Sequence, residues 1–310
     1  MTSQRFIVIG GCHIDQHLYF ETTPVTGRTN PARIAEAIGG VAANIARHLA
    51  AAQHTVDFFG VQPQRESISL LPWLQAAGIS AHLVAMAAEA PRYTALIGPD
   101  GELIIGAAAL SIYDAVSEDL LRGSLVDRFE SSSPPDAVVI DTNFPEPVLQ
   151  MVACALPANV PLCAAATSLA KVDRLRAILP RLSIIVLNRI EALRLSGMPT
   201  DDVAILASTL AASLARKRSG DMLKDGLVLV SDGGNTAALA SGDAVVTALP
   251  PPVSVISANG AGDAMAAALL SAVLAAGPVI DPDDMLQHAL AAGAKFAARP
   301  IAEQSIVGWK

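Results

Sequence analysis

Charge is scarce in this chain: 16% of its 310 residues are Asp, Glu, Lys or Arg, and the balance is acidic, a formal net charge of -8. A surface of that sign is poorly suited to neutralising many phosphates, which argues against a nucleic acid polymer as partner and leaves a single nucleotide open. Cysteine is nearly absent, with three residues at Cys12, Cys154 and Cys163. Their odd number and the lack of any CxxC spacing exclude a disulfide framework and a zinc site, so they read as reduced core residues. Long uninterrupted apolar runs are also missing. The longest, Ala264 to Ile280, follows Asp263 and is broken by Gly277-Pro278, which reads as a buried helix rather than a membrane span. Met1 to Cys12 carries one basic residue before a short apolar run ending in Gly10-Gly11, the pattern of a first strand rather than a signal peptide. Together these features predict a cytoplasmic chain with no membrane partner.

What the chain has in plenty is apolar side chain, 52% of residues, as a sheet buried on both faces requires. Runs rich in Val and Ile recur at Phe6 to Ile9, Val56 to Val61, Ala137 to Ile140, Ile184 to Leu187 and Leu227 to Val230. Helix-length stretches lie between them: Val41 to Ala52, Ser117 to Phe129, Pro145 to Leu156 and Asp202 to Arg216. This alternation predicts an α/β fold, a doubly wound, mostly parallel sheet flanked by helices, in one domain over 1–310. One region departs from it. Arg92 to Ile97 and Glu102 to Ile105 flank Pro99-Asp100-Gly101 as a hairpin, which with Gln16 to Ile34 makes a small β lid from about 16–36 and 91–112.

The strongest local signal is Asn259-Gly260-Ala261-Gly262-Asp263, a small-residue loop running into an Ala-rich helix. Backbone N–H groups at a helix start favour an anion, and glycines let it approach closely. A carboxylate beside such a cradle can accept a proton from a hydroxyl attacking a phosphoryl group; a first-turn Asp that merely complements the helix dipole is an equal alternative. Gly39-Gly40 leading to Asn44 is a second Gly-rich helix start, whose carboxamide suits sugar hydroxyls or is only a turn. Asp15, placed just past the first strand, lies where open α/β sheets bind ligands or is a turn residue. Asn188 and Glu191 share one face at a helix start, as oxygen ligands reaching Mg²⁺ through water or as a helix cap. Ser231-Asp232-Gly233-Gly234 reads as a turn against a nucleotide or as an ordinary hairpin turn.

In this order the pieces resemble the ribokinase-like (PfkB) family of carbohydrate and nucleoside kinases over nearly the whole chain. The resemblance implies ATP and Mg²⁺ as cofactors, Asp263 as catalytic base, and the backbone of Gly260, Ala261 and Gly262 as anion hole. It also implies Asn188 and Glu191 positioning magnesium and phosphates, and Ser231, Gly233 and Asn259 in the ATP site, closed by the helix around His288 to Ala298. The acceptor, a small-molecule nucleoside or sugar, would be held by His13, Asp15, Gly39, Gly40 and Asn44, and a homodimer through the lid is expected. Within the family the chain is most similar to pseudouridine kinases, through Gly39 to Ala46, Asp141-Thr142-Asn143, Ser168 to Arg176 with Lys171, Leu187 to Ala192 and Gly260 to Met265. That implies transfer to a 5′-hydroxyl.

Several positions depart from the family pattern. His13 replaces an Asn, Val61 to Ser67 lacks the usual Asp and glycines, and Ala108-Ala109 replaces an Asn-Asp pair. Ser257-Ala258 precedes Asn259 where Asp-Thr is common, and Thr236 replaces the last turn glycine. Two further readings therefore stay open: a kinase for another acceptor such as ribose, adenosine or a sugar phosphate, the last needing a cation for which Arg92 is the candidate, or a nucleoside-binding protein that has lost turnover.

Overall fold

The computed structural model describes residues 3–64, 70–101, 103–130, 134–214, 225–256, 258–276 and 281–299. Glu102 of the expected hairpin, the stretch from Arg65, the end of the expected helix to Arg216, Ser257, and Gly277 to Ile280 lie outside the described residues.

The chain opens with β1 (Arg5–Ile9), β2 (His13–Phe20) and β3 (Ala32–Gly39), followed by α1 (Val41–Ala51) and β4 (Thr55–Pro63). Next come α2 (Leu71–Ala76), β5 (Ser80–Met86), β6 (Arg92–Ile97), β7 (Leu103–Ala109), α3 (Ser111–Asp114) and α4 (Glu118–Phe129). The middle of the chain is β8 (Ala137–Asp141), α5 (Glu146–Ala155), β9 (Leu162–Ala165), a 3-10 stretch over Val172–Arg181, β10 (Ile184–Asn188), α6 (Arg189–Ser196) and α7 (Val203–Ala211). It ends with β11 (Leu227–Ser231), β12 (Ala237–Ser241), β13 (Ala244–Ala248), α8 (Ala261–Ala276) and α9 (Pro282–Ala297).

One sheet has nine strands in the order β13-β12-β11-β10-β9-β8-β1-β4-β5. Strands β5 to β11 in that order run parallel, and β12 and β13 close one edge antiparallel. Alternation along a strand sends successive side chains to opposite faces, and β1 does so plainly: Ile7 and Ile9 pack with α4, α5, α6 and α7, while Phe6 and Val8 pack with α1, α8 and α9. The apolar run after Asp263 is α8, with Leu269, Leu270 and Val273 buried in the second of these layers. Among the described residues no helix is long and apolar enough to cross a membrane.

The second sheet has four strands, β3-β2-β6-β7. It contains the expected hairpin, but β7 runs on to Ala109, so Ala108 and Ala109 lie within the strand, opposite Tyr93 and Arg92. Asp15 corrects one expectation: it is the third residue of β2 rather than a loop residue after β1, because the chain re-enters extended structure at His13. Cys154 corrects another. It lies on the exposed side of α5, whereas Cys12 and Cys163 are buried.

In the large sheet the chain winds from β1 toward β5 on one side and from β8 toward β11 on the other, so β1 and β8 flank a switch point, where open α/β sheets leave a crevice for ligands. The Gly10-Gly11 loop after β1 and Asp141 at the end of β8 meet there. Asp141, wholly buried, accepts hydrogen bonds from Gly11 N (3.0 Å), Ala42 N (3.2 Å), Asn143 N (2.9 Å) and Asn143 Nδ2 (2.9 Å). It thereby fills the capping role at α1 that Gly40 cannot supply from a side chain.

Candidate active site

A cleft of about 650 Å³ opens between the two sheets. Its floor comes from the starts of two helices. Gly40 takes φ 102, and a Cβ there would overlap the Gly11 carbonyl oxygen; a Cβ on Gly39 would overlap the Asp15 carboxylate. The glycine pair thus lets β3 turn into α1 against the carboxylate of β2. One turn into α1, Asn44 Nδ2 donates to Asp263 Oδ2 at 2.8 Å, and Arg47 Nη1 donates to Asn44 Oδ1 (3.2 Å) and Ile38 O (2.9 Å). Sequence reasoning did not find Arg47, although its i, i+3 spacing from Asn44 is a readable signal.

Asp263 sits in the first turn of α8, half-buried and facing the cleft. Burial pushes its carboxyl up to about 7, and the neighbouring charges of Asp141 and Asp15 push the same way, against the Asn44 hydrogen bond and Arg47. The helix closes its first turn through Ala264 N to Gly260 O (3.1 Å), and Ala261 N–H is committed to Ala258 O (3.1 Å). Of the expected anion-hole groups, Ala261 is therefore tied into the turn, and the N–H groups of Gly262 and Asp263 head the helix. Phe296 of α9 backs this turn, close to Gly260 and edge-on to His48 with ring centroids 5.1 Å apart.

Further polar groups line the same cleft. Lys171 Nζ donates to Asn143 Oδ1 at 3.0 Å and lies 5.7 Å from the centre of the Tyr113 ring. Burial lowers the Lys171 pKa, and Arg174 adds to the shift. Arg174 is held by Asp114 (2.6 Å) and by the carbonyls of Thr142 and Asn143. On the near wall His13 and Asp15 are both buried, with His13 Nε2 at 3.2 Å from Asp15 Oδ1. Ala108 and Ala109 offer only methyl groups from above.

His13, Asp15, Gly40, Asn44, Lys171, Asn259 and Asp263 thus line one cleft. Asn188, Glu191, Ser231 and Gly233 do not line it; they lie at the ends of β10 and β11. There Asn188 and Glu191 form a reciprocal cap, Glu191 N to Asn188 Oδ1 (2.9 Å) and Asn188 N to Glu191 Oε2 (3.0 Å). Glu191 is buried, which raises its pKa. Ser231 ends β11, and Gly233 (φ 59) sits in the turn of the antiparallel β11–β12 hairpin. Arg189, which sequence reasoning also missed, bonds Asp232 of that turn through Nε (3.1 Å).

A doubly wound sheet, a second small sheet across a cleft, and a carboxyl at a helix start on its floor together make the architecture of a small-molecule phosphotransferase. The chain belongs to the pfkB family of carbohydrate kinases, whose family model matches residues 3–305. It is accordingly a kinase for a sugar or nucleoside hydroxyl. Among curated proteins it is 28% identical to pseudouridine kinase of Escherichia coli over 280 residues, 86% of this chain and 82% of the relative. Among solved structures, a carbohydrate kinase from Agrobacterium tumefaciens superposes with TM-score 0.78 at 25% identity, covering 98% of this chain and 94% of that one. Arabidopsis thaliana ribokinase complexed with ribose and ATP superposes with TM-score 0.73 at 19% identity, covering 98% and 96%, a likeness of fold.

Proposed function

We propose that this kinase transfers the γ-phosphoryl group of ATP to the 5′-hydroxyl of a nucleoside, with pseudouridine as the first candidate. The observation that carries the reading is Asp263, a carboxyl facing the cleft beside the N–H groups that head α8. With a pKa near 7 it is matched to taking a proton at neutral pH. Gly262 and the helix end stabilise charge on the transferring group, and Asn44, braced by Arg47, holds the carboxyl in place. ATP would lie toward Asn188, Ser231, Gly233 and Asn259, against the end of α9.

Among the described residues no group of three or more His, Cys, Asp or Glu forms a metal cage. Glu191, with one oxygen tied to the Asn188 N–H, fits Mg²⁺ held mainly by phosphate oxygens and water. The ion, when bound, supplies charge neutralisation at the phosphates.

Two features favour a nucleoside over a free pentose. The cleft that holds Asp15, Asn44 and Asp263 extends to Lys171, whose ammonium keeps donors beyond its bond to Asn143 and suits a base carbonyl. The relative from Escherichia coli is a pseudouridine kinase. Arg92, the candidate cation for a phosphorylated acceptor, is paired with Glu36 at 3.0 Å. The exposed apolar row Leu103, Ile104 and Ile105 on β7 supports a second copy docking on a lid made by the small sheet, and sedimentation would test it.

The test is ADP production against a panel of pseudouridine, uridine, adenosine and ribose. Turnover of a nucleoside, lost in Asp263→Asn, is expected; turnover of none, or an unimpaired variant, contradicts the reading.

A further inference from the structure

The hydrogen bonds behind Asp263 run in one direction. Arg47, half-buried on α1, keeps its guanidinium proton and can only donate. Its Nη1 is placed by the Ile38 carbonyl near the end of β3 (2.9 Å) and reaches the Asn44 carboxamide at 3.2 Å. The carboxamide has to meet this donor with its oxygen, because its nitrogen offers only hydrogens. That settles which way Asn44 faces, and its N–H₂ is turned toward Asp263, donating to Oδ2 at 2.8 Å. An unrestrained Asn can serve a carboxyl in two ways: it donates to the ionised form, or turns over and accepts from the protonated one. With Arg47 in place the second arrangement is closed, since it would set the N–H₂ against the guanidinium. Oδ2 of Asp263 is therefore held as an acceptor in both protonation states, and a proton arriving at this carboxyl has Oδ1 as its place.

We propose that Arg47 is a positioning residue: through Asn44 it locks the polarity of the Asp263 carboxyl, so that Oδ2 stays an acceptor and Oδ1 takes the proton of the attacking hydroxyl. The hydroxyl comes from the kinase reading, on which this assignment rests; the direction of the bonds belongs to the free chain. In the transfer the O–H bond of the acceptor breaks and its proton goes to Oδ1. The acceptor oxygen bonds the γ-phosphorus as the bond to ADP breaks, its electron pair leaving with ADP. Burial, Asp141 at the end of β8 and Asp15 of β2 raise the Asp263 pKa, and the Asn44 bond and the Arg47 charge, both from α1, oppose them. His13 and Lys171 line the same cleft, and α9 meets the turn with the uncharged ring of Phe296. Taking away Arg47 removes its charge and frees Asn44 to turn, so both opposing contributions weaken together.

The carboxyl itself is measured first, by ¹³C NMR titration of the full chain labelled at aspartate, without substrate and with Asp263→Asn to assign the signal. The midpoint is expected near 7 in the wild type and roughly one pH unit higher in Arg47→Met. Arg47→Lys, which keeps a charge and a donor, should lie between them. An unchanged midpoint in Arg47→Met overturns the proposal; if that variant does not fold, Arg47→Gln takes its place with the same expectation. Asn44→Ala tests the route. Because Arg47 acts through Asn44, adding Arg47→Met to Asn44→Ala should move the midpoint by roughly half as far as in the wild type or less, and fully additive shifts overturn the relay. With the accepted nucleoside, kcat of Arg47→Met should fall roughly tenfold while KM changes less, and the acid limb of kcat/KM should follow the NMR midpoint. A wild-type kcat in Arg47→Met overturns the positioning role. Absence of wild-type turnover on every acceptor contradicts the kinase reading instead and leaves the titration to decide the relay.

Discussion

Around Asp263 carboxylates act on one another: Asp263 is pushed up by burial and by Asp141 and Asp15, and among the described residues Asp15 Oδ1 has no donor. At the ends of β10 and β11 the polar groups are instead satisfied by one another: Asn188 and Glu191 close a reciprocal cap, and Arg189 ties α6 to the Asp232 turn. On the Asp263 side one buried carboxylate oxygen, Asp15 Oδ1, is left without a donor among the described residues, which costs stability. The expected nucleotide side is self-contained, so its residues act first as structure, and ATP would be met there by backbone and water.

Substitutions can break or sharpen that contrast. The largest effect is expected for Asp263→Asn, which keeps the shape but removes the base and should lower kcat by roughly 10²–10⁴-fold, read from ADP release at saturating ATP. Gly40→Ala should come next. At φ 102 the new Cβ meets the Gly11 carbonyl, and denaturant unfolding should show a loss of about 1–3 kcal/mol. Asn188→Ala removes half of the cap at α6 and should cost about 1 kcal/mol, with kcat changing less than KM for ATP. A kcat loss as large as that of Asp263→Asn would show that the two sides do not differ as described.

The pH dependence of stability has an informative sign. Asp263 has its ordinary carboxyl value of 3.8 in the unfolded chain and about 7 in the folded one, so between those values the native state binds the extra proton. Stability from this group is present at low pH and is lost as pH rises through about 7. Removing the carboxylate relieves that loss, so the melting temperature of Asp263→Asn should rise relative to wild type between pH 4 and pH 7 and stay level above. Thermal unfolding at a series of pH values checks it.

Much of the sheet was legible because β1, β4, β8, β10 and β11 are runs of Val, Ile, Leu and Phe bounded by Gly, Asp, Asn or Ser. Strands β9 and β12 were not: Leu-Cys-Ala-Ala and Ala-Ala-Leu-Ala-Ser carry residues that favour helices, and pairing with buried neighbours decides their conformation. The site divides in the same way. Asp263 was readable from a local loop-and-helix pattern, but its partner Asn44 lies 219 residues away, and no spacing rule joins them. Tyr113 and Asp141 were missed as site-building residues for that reason, since their partners at Cys12, His13, Gly11 and Ala42 come from other elements. Glu191 was legible as one of two alternatives, and the capping geometry is what the structure adds.

The central claim is that Asp263 is the proton acceptor, with a pKa near 7 set by its burial. It is tested most directly by the pH dependence of kcat/KM for the accepted nucleoside, compared between wild type and Asp263→Asn. The account predicts a one-proton acid limb near pH 7 in wild type that is missing from the residual activity of the variant. A limb that persists unchanged in Asp263→Asn, or a wild-type profile that stays flat down to about pH 5, would contradict it.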